Sequence, residues 1–210
     1  MHDTLRRLHE GRRGTGTTLD RFRLNELVSQ IAFAGRRGRV YRRIVSLAGV
    51  RPGDAVLDVG CSGGFLARKL AAAVGPSGRV TGVDPSQAAI AYAQRRAAGA
   101  MTFAVGVAQD LPLPDSSFDA VTCTLAMHHV PARQRAAAFR EMYRVTKPGG
   151  RLLVADCDTA RSPLPLHPGG RRMRRAAATV GPLEELAAAA GYRVESAGRL
   201  PLLRYVVAVR

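Results

Sequence analysis

The chain has 210 residues, with 32 Lys and Arg against 16 Asp and Glu, a formal net charge of +16, and 46% hydrophobic residues. That length suits one domain with a sizeable core, and the apolar content excludes a disordered chain. No apolar run reaches the roughly 20 residues of a membrane span, and no signal-peptide stretch follows Met1 to Arg7, so a cytoplasmic location is expected.

Residues 1–17 are polar and glycine-containing, and are expected to fray. Leu19 to Ala34 reads as an amphipathic helix, broken by Gly35-Arg-Arg-Gly38, and Val40 to Leu47 restarts a helix. Residues 1–38 are therefore taken as an N-terminal helical lid and residues 39–210 as the core domain. The Pro52-Gly53-Asp54 turn launches the strand Ala55–Val59, followed by the helix Phe65–Val74. The alternation continues with strand Arg79–Val83, helix Gln87–Ala98, strand Met101–Val105, a polar loop and strand Ala120–Cys123. Helix Ala132–Arg144 and strand Arg151–Ala155 come next. Short apolar runs alternating with alanine-rich helical runs predict a mostly parallel sheet covered on both faces. Asp158 to Arg175, rich in Pro and Gly, reads as a loop over the sheet's active edge. A helix from Leu183 to Ala190, capped by Gly191, and two strands near Tyr192–Ser196 and Leu203–Val209 close the chain.

The chemistry concentrates in Val56 to Ala67, V-L-D-V-G-C-S-G-G-F-L-A. A buried run ends in Asp58, a glycine-rich turn follows, and a helix begins. That arrangement brings backbone N–H groups against a nucleotide-like ligand. Asp84 closes the next apolar run, where a carboxylate can accept hydrogen bonds from ribose hydroxyls. A dinucleotide G-x-G-x-x-G would need Gly at 60, 62 and 65, and only Gly60 complies; Ser62 and Phe65 stand at the others. The Gly-Lys-Ser/Thr of a phosphate-binding loop is absent.

The chain resembles the class I S-adenosylmethionine-dependent methyltransferases, and within them the group containing quinone-biosynthesis C-methyltransferases. Five segments carry the likeness: Leu57 to Gly64, Gly82 to Ser86, Ala108 to Val121, Met127-His-His-Val130 and Glu141 to Val154. The resemblance implies a Rossmann-like, seven-stranded α/β sheet and S-adenosylmethionine as cofactor. It implies that Asp58, Gly60, Cys61, Ser62 and Gly64 hold the methionine portion and that Asp84 and Pro85 border the ribose. Ala108 and Gln109 then border the adenine, and Leu125 lines the transfer edge. Two positions depart from the family pattern. Ser62 replaces its middle glycine, and Val107 stands where an acidic residue often meets the adenine amino group, leaving Gln109 or Asp110 as replacements.

Methyl transfer is an in-line displacement, so the protein mainly aligns the acceptor and excludes water. A base is required where the acceptor must first lose a proton. His128 and His129, after the fourth strand, are the candidate bases, weighed against the reading in which one packs structurally and the other faces solvent; His167 is a weaker one. Thr124-Leu-Ala-Met127 lacks the Asn/Asp-Pro-Pro-aromatic signature of adenine amino-methylation, and Cys123 follows Thr122, not the proline of cytosine C5 enzymes. A small-molecule acceptor is the leading expectation, with Arg171, Arg172, Arg174 and Arg175 available to attract an anionic one. The net charge keeps an RNA methyltransferase as the second reading, although all cations but Lys69 and Lys147 are scattered arginines and only 5% of residues are aromatic. Ser62 and Val107 motivate a third, a non-catalytic protein of this fold. Cys61, Cys123 and Cys157 are far apart without metal-ligand spacing, so no metal is expected and the thiols read as reduced, buried side chains. Nothing in the pattern specifies an oligomeric state.

Overall fold

The computed structural model describes residues 36–158 and 180–210. The expected helix Leu19–Ala34, nearly all of the lid, His167 and the arginines of the 158–175 loop lie outside the described residues.

Helix α1 (Arg37–Ala48) buries Val40, Tyr41, Ile44 and Ala48, spaced three and four apart on one face. Gly49, at φ 65°, ends it in the left-handed region and returns its N–H to the Ser46 carbonyl. Strand β1 (Ala55–Val59) is buried throughout, as expected for a central parallel strand. Helix α2 (Phe65–Val74), strand β2 (Arg79–Asp84), helix α3 (Gln87–Gln94) and strand β3 (Met101–Val105) complete the first half. Strand β4 (Phe118–Thr124) leads through two one-turn 3₁₀ segments, Met127–His129 and Ala132–Gln134, into helix α4 (Arg135–Val145). Strand β5 (Thr146–Cys157), helix α5 (Leu183–Ala189), strand β6 (Arg193–Leu200) and strand β7 (Leu203–Val209) follow.

The seven strands lie in the order β3-β2-β1-β4-β5-β7-β6. The first five are parallel, while β7 runs antiparallel to both β5 and β6. One apolar layer joins the sheet to α1, α2 and α3 through Ile44, Leu70 and Ile90. The opposite layer joins it to α4 and α5 through Phe139, Met142 and Leu183. The expected helices on both faces are therefore present.

Some element limits differ from expectation. Helix α3 ends at Gln94 instead of Ala98 because Met101 must pair with Val80, and the chain turns back through Gly99 at φ 60°. The expected helix from Ala132 opens with a 3₁₀ turn and is α-helical only from Arg135. β5 starts at Thr146, five residues early, with an irregular register around Pro148-Gly149-Gly150. β6 extends to Leu200 because the closing hairpin is longer than its apolar pattern indicates.

Candidate functional site

The carboxyl ends of β1, β2, β4 and β5 share one rim, since these strands are parallel and adjacent. Open parallel sheets bind ligands at such a rim, where the strand order reverses. Here the reversal falls between β1, which turns outward to β2, and β4.

The glycine-rich turn after β1 is pinned to β2. The N–H groups of Gly60 and Cys61 both donate to the Val83 carbonyl, at 2.7 and 3.1 Å. Gly60 has φ 72°, and a Cβ there would lie 2.2 Å from the Ala126 Cβ, so only glycine fits. Ser62 also takes the left-handed region, at φ 49°, a strained choice for a residue with a side chain. Its N–H donates to Asp84 Oδ2 at 2.9 Å, while the Ser86 N–H donates to Asp84 Oδ1 at 2.9 Å. Gly64 forms the N-cap of α2. The carboxylate of Asp84 is thus fixed beside the turn, and burial raises its pKa above the usual value.

Asp58 lies under the same turn with its side chain buried. Its Oδ1 accepts from the Thr122 hydroxyl at 2.9 Å, and its Oδ2 has no hydrogen-bond partner. Burial first, and then the neighbouring charge of Asp84, push the Asp58 carboxyl up to about 7. A buried, unpartnered carboxylate oxygen fits a ligand ammonium group. Cys61 is buried between the two acids, and burial raises its thiol well above the normal range. It is an inert small side chain there, not a nucleophile.

The expected adenine-side residues sit beyond β3. The segment Val107–Asp110 closes on itself through an isolated bridge, with the Asp110 N–H donating to the Val107 carbonyl at 3.2 Å. Ala108 and Gln109 occupy the turn of that segment, and Pro85 is exposed beside Asp84. Among the described residues the exposed large hydrophobics are Val105 and Val107, at 51% and 36%. An apolar ring laid over them would remove that surface from water. The loop is anchored from α4. Glu141 accepts from the Leu111 N–H at 2.8 Å, and Arg144 donates to the carbonyls of Leu111 and Leu113. The hydrogen bond from Arg144 holds the Glu141 carboxyl below its usual value. Two of the five segments read in the sequence therefore hold each other.

On the β4 side, Leu125 has φ 57° and donates its N–H to the Ala155 carbonyl at 2.8 Å. His128 is buried, whereas His129 is exposed with its ring 4.0 Å from that of His128. The sequence reading missed Asp156. Its Oδ1 lies 2.6 Å from His128 Nδ1, and its Oδ2 accepts from the His128 N–H at 2.9 Å. The signal was present, because Asp156 ends a buried apolar run just as Asp58 and Asp84 do. His128 Nε2 and the Thr124 hydroxyl are buried without partners. The ligand atoms of His128, Asp156 and Cys157 lie within 4.8 Å of one another, a grouping hidden in sequence because it joins two strand ends. Both Asp156 oxygens accept from protein donors, and burial pushes the Cys157 thiol up to about 12. The three groups form a hydrogen-bonded cluster in which the thiol keeps its proton.

The comparisons with known proteins agree with this fold. Residues 56–150 match the family model for a methyltransferase domain. The chain is 40% identical over 136 residues to demethylmenaquinone methyltransferase of Symbiobacterium thermophilum, covering 62% of this chain and 53% of that one. It is 39% identical over 132 residues to 2-phytyl-1,4-naphtoquinone methyltransferase of Synechococcus elongatus, covering 60% of this chain and 56% of that protein. The chain thus spans about half the length of these curated relatives. A solved S-adenosylmethionine-dependent methyltransferase from Aquifex aeolicus superposes with a TM-score of 0.69 at 21% identity, covering 80% of this chain and 88% of that one. The fold is that of the class I methyltransferases.

Proposed function

We propose that the methyltransferase domain carried by residues 56–150 makes this chain an S-adenosylmethionine-dependent methyltransferase acting on a small-molecule acceptor. The observation that carries the reading is the joint placement of Asp58, the Gly60–Gly64 turn and Asp84 at one rim of the sheet. Asp58, Gly60, Cys61, Ser62 and Gly64 hold the methionine portion of the cofactor. Asp84 and Pro85 border its ribose. Ala108, Gln109, Val105 and Val107 border the adenine, and Leu125 faces the transferring methyl group. The bound cofactor supplies an electrophilic methyl group on a sulfonium centre. The protein's own part is to orient the acceptor behind that methyl, keep water out and accept a proton where the acceptor releases one. His128 and His129 are the candidates for that last role.

The names of the relatives support an acceptor of quinone type, and Arg171, Arg172, Arg174 and Arg175 support one bearing negative charge. Three free, buried cysteines are compatible with a reducing, cytoplasmic setting, and no described helix is long and apolar enough to cross a membrane.

Titration calorimetry with S-adenosylmethionine tests the reading. Saturable binding is expected, weakened about 10- to 100-fold in Asp84→Ala by loss of a charged hydrogen-bond acceptor. Absence of binding, or identical isotherms for the two proteins, would refute it. The net charge of +16 keeps RNA as the alternative acceptor. That alternative requires RNA affinity falling steeply with salt, and a flat response removes it.

A further inference from the structure

We propose that Asp156 is the positioning residue of a His128–Asp156 dyad whose free Nε2 takes the acceptor's proton, so that the methylated group is an O–H or activated C–H acid and not a neutral amine. The proposal rests on the methyltransferase reading above and narrows its substrate class.

Three donors converge on the Asp156 carboxylate. The His128 N–H donates to Oδ2 at 2.9 Å, and the Cys157 N–H donates to Oδ1 at 2.7 Å. The third partner is His128 Nδ1, 2.6 Å from Oδ1. A carboxylate already accepting from two backbone N–H groups is an acceptor, so Nδ1 carries the imidazole proton. The lone pair is then left on Nε2, which is buried and has no hydrogen-bond partner. In a purely structural histidine that orphaned nitrogen would cost stability and gain nothing. Its partner is therefore sought in the reaction.

Position agrees with this. His128 belongs to the 3₁₀ turn that follows β4. That segment abuts the glycine-rich turn at the Ala126–Gly60 contact, which leaves no room for a Cβ on residue 60. Cys123, on β4, feels the charges of both Asp58 and Asp156, so dyad and cofactor turn flank the same strand. The other titratable groups around the dyad are His129, Cys123, Cys157 and Arg135, with Arg204 on the strand paired to Asp156. Arg135 lies within electrostatic reach of Asp156 and of Arg204. The Asp156 carboxylate stabilises the imidazolium formed by proton uptake.

A neutral amine, such as an aniline, attacks through a lone pair it already has and needs no base before attack, whereas an alkylammonium must first lose a proton. A hydroxyl, or a carbon acidified by a neighbouring enol or phenol, becomes nucleophilic by losing its proton. In the step, the methyl–sulfur bond breaks with its electron pair remaining on sulfur. The acceptor oxygen or carbon bonds the methyl carbon, and the acceptor's proton passes to His128 Nε2 and afterwards to solvent.

Two measurements test this. Long-range proton–nitrogen NMR on protein labelled at histidine nitrogen reads the tautomer without any acceptor. A His128 protonated at Nδ1 is expected in the wild type, with that preference lost in Asp156→Asn. Turnover of methyl-labelled S-adenosylmethionine is then followed with 1,4-naphthohydroquinone, phenol and aniline as probes. Methylation of an acidic probe is expected. In His128→Gln, kcat should fall at least about 100-fold with little change in KM. In Asp156→Asn the fall should be about 10-fold, with a displaced acid limb of the kcat–pH profile. A proton on Nε2 in the wild type, undiminished turnover in His128→Gln, or methylation of aniline alone would each overturn the proposal. So would failure to methylate either acidic probe by protein that binds the cofactor. Wild-type protein that does not bind the cofactor would defeat the methyltransferase reading and this inference with it. The wild-type tautomer decides the matter even if Asp156→Asn does not fold.

Discussion

Replacing Asp58 by Asn separates the fold's interest from the ligand's. The Asp58 carboxyl is held at about 7 by burial, against 3.8 for an ordinary aspartate, and its Oδ2 has no partner. The folded state therefore binds the proton more tightly than the unfolded chain does. Stability is unaffected below about pH 4, falls as pH rises from there to about 7, and is constant above. The span is about three pH units, worth up to roughly 4 kcal/mol at 1.36 kcal/mol per unit. Asn carries no charge and so escapes that loss, but its amide places an N–H₂ where Oδ2 was, at a cost of about 1–3 kcal/mol if unpaired. Asp58→Asn is therefore expected to be more stable than the wild type at pH 8, by about 1–3 kcal/mol, and no more stable at pH 4.5. Urea denaturation at the two pH values measures this. Cofactor affinity should move the other way. The ionised carboxylate that destabilises the empty protein is the one suited to an ammonium group, so wild-type affinity should rise about tenfold per pH unit on approaching pH 7, and the Asn variant should show no such rise. A stability difference independent of pH, or a wild type that gains on the variant between pH 4.5 and 8, would refute the reasoning.

Gly60→Ala forces a side chain into the Ala126 contact at φ 72°, and a loss of at least about 2 kcal/mol and of cofactor binding is expected, read as a fall in Tm of roughly 4–8 °C and by calorimetry. Ser62→Gly relieves the left-handed strain at φ 49° and should raise stability by up to about 1 kcal/mol in urea without weakening cofactor binding, since its N–H to Asp84 is retained. Arg144→Ala frees the carbonyls of Leu111 and Leu113 and strips Glu141 of its cation, so cofactor affinity should drop about threefold to tenfold by calorimetry, with hydrogen exchange accelerated in residues 107–115.

The parts of the site legible in the sequence are those written locally. Asp58, Gly60 and Gly64 lie within seven residues, and the run that ends in Asp84 shows its own strand and acid. Strands β1 and β3, helix α2 and strand β7 keep the limits expected from their apolar patterns. What escaped depends on residues far apart in the chain. Asp156 meets His128 across 28 residues, and Ala126 dictates a glycine at residue 60. Which of the two histidines packs and which faces water was not legible, because adjacent residues in a 3₁₀ turn diverge, here His128 toward β5 and His129 toward water. The early end of α3 is a constraint of sheet pairing that alanine-rich helix propensity cannot report.

Strand β7 is inserted between β5 and β6, with ladders on both sides. A ribosome delivers β6 before the strand that must attach it to the rest. Until residues 203–209 emerge, β5 and β6 each present a row of unsatisfied backbone groups. Until that strand docks, the nascent chain stays open to adhesive encounters with neighbouring chains, and chaperone demand should peak in that interval.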